Sequence, residues 1–139
     1  MKPPRALLLY ERDNNCELLR AVLTGEGYAV DESSLDLQPA APVSDYCLVV
    51  FDVQRLTDRY LNITRAWRDG ASGTMLIMVG NRTTQANRVA VLESGVNAYL
   101  AKPLIVAELR ARIRASLRRF HSQESRLRRF SFGEGTIDL

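Results

Sequence analysis

An acidic and a basic side chain follow two of the short apolar runs in this chain. Asp52 comes directly after the run 48–51, and Lys102, followed by Pro103, comes directly after the run 98–101. Continuous apolar runs of this length are typical of buried parallel strands, and doubly wound α/β folds do their chemistry at the carboxyl ends of such strands. The spacing therefore predicts that a carboxylate and an ammonium group meet at one edge of a sheet.

Short apolar runs alternate along the chain with stretches of helical periodicity. Five runs predict strands, at 6–10, 28–30, 46–51, 75–79 and 98–101. Apolar residues at helical spacing follow the first, third, fourth and fifth of these runs, and they predict helices that pack on a sheet. The pattern weakens between residues 33 and 44, since Pro39 and Pro42 remove donors and clash inside a helix, so that a second helix is short, displaced or absent.

This alternation predicts an α/β fold with a doubly wound, five-stranded parallel sheet. The expected arrangement is a flavodoxin-like (βα)5 unit with strand order 2-1-3-4-5 and helices on both faces. Asn14 or Asn15 is expected to cap the first helix, and Thr83 or Thr84 the helix after the fourth strand. The last helix is expected to end near Phe120.

The charge of the chain is concentrated in its last quarter. The net charge is +3, but from residue 104 onward eight arginines face four acids, whereas the acids outnumber the bases by one before that point. A basic tail can bind a polyanion, but no aromatic residues are interleaved with these arginines as in single-strand binding surfaces. We interpret the tail as a solvated helix face and a linker.

The two cysteines and the hydropathy pattern indicate a cytoplasmic location. Cys16 lies early in a predicted helix and Cys47 in a predicted strand, and two buried thiols in a reducing compartment account for them better than a disulfide. A phosphatase-type loop is excluded, because Val22 stands where such a loop needs an arginine. No apolar stretch approaches the length of a membrane span, so we expect a soluble protein without a membrane partner.

The chain resembles the receiver domain of two-component response regulators. Asp52, Lys102-Pro103 and the run GVNAYLAKPL at 95–104 carry this resemblance, and the run ELRARIR at 108–114 narrows it to the OmpR/PhoB type. The run FSFGEGTIDL at 130–139 resembles the start of the winged-helix DNA-binding domain of that subfamily. The implied organisation is a receiver domain at 1–121, a basic linker at 122–129 and a truncated winged-helix domain at 130–139.

The resemblance implies a phosphoryl-accepting site rather than an enzyme. Asp52 takes the place of the residue that accepts a phosphoryl group from a sensor histidine kinase, and Lys102 that of the lysine that neutralises the new charge. A Mg²⁺ ion would be held by Glu11, Asp52 and the backbone carbonyl of Gln54. DNA would be bound through the missing output domain and not through this domain.

Three departures from the family pattern surround this pocket. Arg12 replaces the second metal-binding acid, Gly80 replaces the Ser or Thr that binds a phosphoryl oxygen, and the loop 53–60 lacks the usual Met-Pro and Asp-Gly positions. A positive charge at about 5 Å repels each charge of the metal ion by roughly 3 kcal/mol at an effective dielectric constant near 20. We therefore expect Mg²⁺ to bind weakly or not at all, and Gly80 no longer links the phosphoryl group to the aromatic switch residue Tyr99.

The hypothesis that follows is an atypical receiver whose Arg12 guanidinium fills the metal space and pairs with Glu11 or Asp52. Two alternatives stay open at this stage. Arg12 can turn into solvent and leave a conventional receiver that accepts a phosphoryl group at Asp52, and Lys102 and Asp52 can form either a reactive or a purely structural pair. A flavin carrier is disfavoured because no glycine lies in the turn at 11–15, and a haloacid-type phosphohydrolase because Gln54 stands in place of its second acid.

A surface made by the predicted helix after the fourth strand, the fifth strand and the predicted helix after it resembles the dimer face of OmpR/PhoB-type proteins. The resemblance implies a homodimer with salt bridges between subunits around an apolar centre, although these charges can also be solvated surface groups. Arg112 is present, but the acids that would pair with it near Asn97 and Ala98 are not. The implied pairs are Arg88 with Glu108 and Glu93 with Arg114, and the apolar centre consists of Val89, Leu92 and Ala111.

Overall fold

The computed structural model describes residues 2–11, 16–35, 42–70 and 73–131, with side chains as far as Ser122. Five parallel strands form one sheet in the order β2-β1-β3-β4-β5, which confirms the predicted fold class and strand order. The strands are β1 (Arg5–Tyr10), β2 (Ala29–Ser34), β3 (Leu48–Asp52), β4 (Met75–Gly80) and β5 (Ala98–Ala101).

Within the described residues, four α-helices connect or follow the strands: α1 (Glu17–Gly25), α2 (Asp58–Gly70), α3 (Gln85–Glu93) and α4 (Val106–Ser131). The described part of the connection between β2 and β3 contains only a short 3-10 turn at Val43–Asp45. It follows Pro42, and a proline fits the start of a turn but not the interior of a helix. A complete (βα)5 repeat is therefore not seen in the described residues, in line with the expectation that the second helix is short, displaced or absent.

The sheet separates two apolar layers, because neighbouring residues of a strand face opposite sides. In β1, Leu8 packs in the layer with α1 and α4, whereas Leu7 and Leu9 pack in the layer with α2 and α3. Phe51 lies in the second layer and stacks on Trp67 of α2 with ring centroids 5.2 Å apart. Burying a side chain of this size stabilises the fold by about 1.5–3 kcal/mol. Because all five strands of this sheet are parallel, their carboxyl ends lie at one edge.

The ends of three helices differ in how well the sequence predicted them. Thr84 caps α3, and its hydroxyl accepts a hydrogen bond from the backbone N–H of Asn87 at 3.1 Å, as predicted. The N-cap position of α1 is Cys16, so the prediction of an asparagine cap was wrong, and Asn14 and Asn15 lie outside the described residues. The last helix was expected to end near Phe120, but α4 continues beyond it and includes His121.

The last helix is longer than predicted. α4 runs to Ser131 and includes all of the segment 122–129 that we interpreted as a linker. The arginines, leucine and glutamate of that segment are good helix formers, so its composition is compatible with either state. The domain boundaries stay a prediction, and 132–139, which includes most of the predicted winged-helix start, lies outside the described residues. No helix in the described residues has the length and apolar character needed to cross a membrane.

Candidate functional site

Asp52 and Lys102 form an ion pair at the carboxyl edge of the sheet. Asp52 is the last residue of the central strand β3 and is 1% exposed. Lys102 directly follows β5, and its backbone N–H donates a hydrogen bond to the Gly80 carbonyl at the end of β4. The Lys102 Nζ atom lies 2.7 Å from Asp52 Oδ1. A buried carboxylate needs such a partner, since an uncompensated charge in the interior is costly. The peptide bond between Lys102 and Pro103 is cis.

The second oxygen of Asp52 faces a thiol that sequence reasoning did not place in the site. Cys16 is buried just ahead of α1, and its Sγ donates a hydrogen bond to Asp52 Oδ2 at 3.4 Å. Burial, and next the negative charge of Asp52, raise the pKa of the Cys16 thiol to about 12, so that it stays protonated at neutral pH. The sequence could have indicated this contact, because Cys16 lies in the connection after β1 and that connection starts at the same edge of the sheet.

Glu11 and Gln54 connect the ends of β1 and β3. The backbone N–H of Glu11 donates to the Asp52 carbonyl at 3.3 Å, and Glu11 Oε1 accepts a hydrogen bond from the Gln54 N–H at 2.9 Å. The Gln54 carbonyl, a predicted metal ligand, accepts a hydrogen bond from Asn81 Nδ2 at 2.7 Å. These hydrogen bonds tie the loops after β1, β3 and β4 together.

The described groups do not make an oxygen shell for Mg²⁺ in this arrangement. Glu11 and Asp52 lie at the same edge, but the Asp52 oxygens face an ammonium and a thiol, and Mg²⁺ requires a near-ideal octahedron of oxygen ligands. Among the described residues, no three Asp, Glu, His or Cys side chains lie close enough to hold a metal ion. Arg12, on which the sequence hypothesis depends, lies outside the described residues, so its predicted pairing stays a prediction.

Gly80 and Tyr99 share one space at the end of β4. A Cβ atom added to Gly80 would lie 2.7 Å from the Tyr99 hydroxyl and 3.3 Å from its Cζ atom. The Tyr99 hydroxyl donates a hydrogen bond to the Asn81 carbonyl at 2.5 Å, and burial raises the pKa of Tyr99. The guanidinium of Arg88 lies 5.9 Å from the centroid of the Tyr99 ring, within range of a cation–π contact. The aromatic ring thus fills the space beside Gly80.

The surface of α3, β5 and α4, which we call the α3-β5-α4 face, carries exposed apolar side chains. Val89 is 46% exposed, Leu92 49% and Ile105 65%. Arg88 and Glu108 line one open cavity of about 470 Å³ on this face. The other residues predicted for the dimer face, Glu93, Ala111, Arg112 and Arg114, are exposed.

Arg114 is engaged within its own chain. Its guanidinium forms an ion pair with Glu26, which directly follows α1. This intramolecular partner competes with the predicted bridge from Arg114 to Glu93 of a second copy. Of the two predicted intersubunit pairs, only Arg88 and Glu108 have no described ion pair with another residue of the described chain.

The chain is similar in sequence to several transcriptional regulatory proteins. No protein-family model matches the chain. The chain is 32% identical over 117 residues to the transcriptional regulatory protein CusR of Escherichia coli, which covers 83% of the chain and 52% of CusR. It is also 32% identical over 136 residues to the transcriptional regulatory protein PmrA of Pectobacterium parmentieri, which covers 96% of the chain and 60% of PmrA. The chain thus spans little more than half the length of these curated relatives.

A solved structure supports the same assignment of the fold. The CheY-like response regulator receiver domain protein from Methanospirillum hungatei superposes with a TM-score of 0.69, covering 86% of this chain and 98% of that one, at 22% identity. The strand order and the buried Asp52 at the end of β3 are consistent with the sequence similarity to these relatives. The homologues of this chain are OmpR/PhoB-type response regulators, and its structural neighbours are CheY-like receiver domains.

Proposed function

We propose that this chain is the signal-receiving domain of a transcription regulator in which protein groups, rather than Mg²⁺ and a phosphoryl group, hold the Asp52 site in one state. The regulator acts as a homodimer joined through the α3-β5-α4 face. The names of the relatives support a role in transcription regulation. A sensor histidine kinase and DNA are partners of the longer protein in this proposal, and DNA is contacted by the output domain.

The observation that carries the proposal is the packing of Tyr99 against Gly80. A receiver that responds to phosphorylation needs a hydroxyl side chain at the position of Gly80, according to the family resemblance. Here a side chain at that position would begin 2.7 Å from the Tyr99 hydroxyl, and atoms at that distance overlap. The inward position of Tyr99 therefore depends on the absence of a side chain at Gly80 and needs no phosphoryl group to maintain it.

The partners of Asp52 support the same conclusion. The Lys102 ammonium and the Cys16 thiol satisfy one carboxylate oxygen each. A divalent cation at Asp52 would share the carboxylate with these two groups, and the nearby ammonium charge would repel it. Arg12 follows Glu11 directly in the chain, and its positive charge further disfavours a cation at this edge.

A conventional phosphoryl-accepting receiver is the second candidate. It is favoured by the gathering of Glu11, Asp52 and Lys102 at one edge of the sheet, because these three residue types serve that chemistry. In that case a histidine kinase would activate the chain at Asp52. The two candidates differ in whether Mg²⁺ and a phosphodonor modify the protein.

The dimer proposal rests on the composition of the α3-β5-α4 face. A two-fold interface is self-complementary, so an exposed apolar patch flanked by one basic and one acidic residue can pair with its own copy. Val89, Leu92 and Ile105 supply the patch, and Arg88 and Glu108 supply the charges. Exposed ion pairs contribute only about 0–1 kcal/mol, so their role is to set the register of the two copies.

Phosphorylation with a small donor tests the proposal. The protein is incubated with acetyl phosphate and Mg²⁺ and its intact mass is measured, with Asp52→Asn as the unmodifiable control. We expect no stoichiometric phosphorylated form of the natural sequence, whereas the Arg12→Asp variant, which restores an acid next to Glu11, gains the phosphoryl mass. Stoichiometric phosphorylation of the unaltered chain at Asp52 would instead establish the conventional receiver.

A further inference from the structure

A second cavity lies beside the Asp52 edge, between the loops that follow β3 and β4. Its volume is about 280 Å³, and Tyr99 forms part of its wall. The cavity is smaller than most drug-sized ligand sites, which enclose about 300–1,000 Å³. It therefore suits a compact ligand.

Two arginines give this cavity its charge. Arg55 and Arg82 both line it, and none of its nine described lining residues is an acid. Within the described part of the chain neither guanidinium has an ion pair or a hydrogen bond, in contrast to Arg5, Arg20 and Arg114, which pair with carboxylates. Two unpaired guanidinium groups beside one small cavity favour an anion, and carboxylate and phosphate are the groups whose geometry they match.

The remaining walls are suited to the rest of such a ligand. Thr83 and Asn87 supply polar groups and are linked to each other, since Asn87 Nδ2 donates to Thr83 Oγ1 at 2.8 Å. Val53, Leu56 and the ring of Tyr99 form an apolar side. The hydrogen bond from Asn81 Nδ2 to the Gln54 carbonyl at 2.7 Å holds the two loops together, so the cavity is formed before any ligand enters.

We propose that this cavity binds a small organic anion, a phosphomonoester or carboxylate with a compact apolar group, whose charge meets Arg55 and Arg82 and whose apolar part lies against Tyr99. The proposal rests on the proposed function, because it supplies a non-covalent signal for a receiver that is not phosphorylated. Since Tyr99 also lines the larger cavity on the α3-β5-α4 face, the ligand would act on both the Asp52 edge and that face.

Binding of two simple probes tests the site. Phenyl phosphate and benzoate are titrated separately into ¹⁵N-labelled protein without Mg²⁺, and amide shifts are followed by NMR; comparing the two distinguishes a phosphate from a carboxylate ligand. We expect saturable shifts centred on the loops after β3 and β4, with a Kd on the order of 1 mM for the better probe. Arg55→Ala and Arg82→Ala should each weaken binding about tenfold.

Arg110→Ala is the matched control, since it removes one exposed positive charge elsewhere on the surface. It should change the Kd by less than about twofold, because screened charges at a distance contribute little. No saturation with either probe, shifts centred elsewhere, or an equal loss in Arg110→Ala would overturn the site. The titration is repeated on Asp52→Asn, which cannot be phosphorylated, so that ligand binding is tested independently of the proposed function. Failure of the proposed function would appear as a phosphorylated mass, whereas failure of the ligand site would appear as a loss of NMR shifts.

Discussion

The hydroxyl of Tyr99 lies 2.7 Å from the point that a Cβ atom of residue 80 would occupy. The absence of a side chain at Gly80 and the inward position of Tyr99 are therefore one feature of the structure and not two. The hydroxyl also donates a hydrogen bond to the Asn81 carbonyl, which holds the ring in this position. This feature is local, and its strength can be measured apart from any ligand.

Gly80→Ala should lower the free energy of unfolding by about 1–3 kcal/mol, because the new methyl group overlaps the Tyr99 hydroxyl in a packed region. Urea unfolding measures this change. Gly25→Ala is the matched control, since a Cβ there meets nothing within 4 Å, and it should be neutral or slightly stabilising. The cost of Gly80→Ala should fall in a Tyr99→Phe background, which removes the overlapping oxygen. Equal costs in both backgrounds would show that the two residues are not coupled.

Lys102→Met should destabilise the protein by about 3 kcal/mol, because it removes the ammonium group that lies 2.7 Å from the buried Asp52 carboxylate. Since Lys102 is partly exposed, water entering the site will offset some of this cost. The double variant Asp52→Asn/Lys102→Met removes both charges and should recover much of the loss. Urea unfolding of the single and double variants gives the comparison, and a double variant as unstable as Lys102→Met would contradict the proposed pairing energy.

Cys16 should resist thiol reagents that reach Cys47. Burial raises the pKa of Cys16 to about 12 and that of the partly exposed Cys47 to about 11, and only thiolates react. At pH 8, labelling of the folded Cys47→Ser variant should therefore be much slower than labelling of Cys16→Ser, and the two rates should become similar in denaturant. Comparable rates in the folded state would mean that the Asp52 site opens readily.

The same thiol should make stability fall at alkaline pH. The folded-state pKa of Cys16, about 12, lies above its ordinary value of 9.0. Its contribution to stability is thus fully present below pH 9 and is lost as the pH rises from 9 towards 12, because the unfolded state releases the proton first. Cys16→Ala should reduce this slope in urea unfolding between pH 8.5 and about 10. An unchanged slope would assign the alkaline loss to other groups, such as Tyr28, whose pKa burial also raises to about 12.

Leu92→Glu should weaken self-association if the α3-β5-α4 face joins two copies. A charge at the centre of an apolar interface is desolvated without a partner. The dimer dissociation constant should therefore rise by more than about tenfold. Sedimentation velocity measures the dimer fraction. Leu18→Glu is the control, because Leu18 is 45% exposed and Leu92 49%, but Leu18 lies on α1 outside the face. A dimer that survives Leu92→Glu and is lost with Leu18→Glu would place the interface elsewhere.

The sequence predicted the fold well because its signals are local. Continuous apolar runs identify buried strands, and glycines end the helices between them, as at Gly27, whose φ of 96° favours glycine. Asp52 and Lys102 could be placed together because each follows a strand of the same parallel sheet. Topology alone then brings their positions to one edge.

Other features depend on contacts that no local pattern encodes. The ion pair between Arg114 and Glu26 joins residues 88 positions apart, so the family pattern suggested a different partner for Arg114. The thiol of Cys16 reaches Asp52 only because α1 begins at Glu17, after the predicted asparagine caps. The extent of α4 was underestimated because charge-rich segments form either solvated helices or linkers, and composition alone does not distinguish them.

The stacking of Trp67 on Phe51 gives the chain a built-in optical reporter. Trp67 is its sole tryptophan, and the ring beneath it belongs to the residue that precedes Asp52. Any event at the carboxylate that shifts the end of β3 must also alter the surroundings of the indole. Emission from unlabelled protein can therefore follow such events in real time.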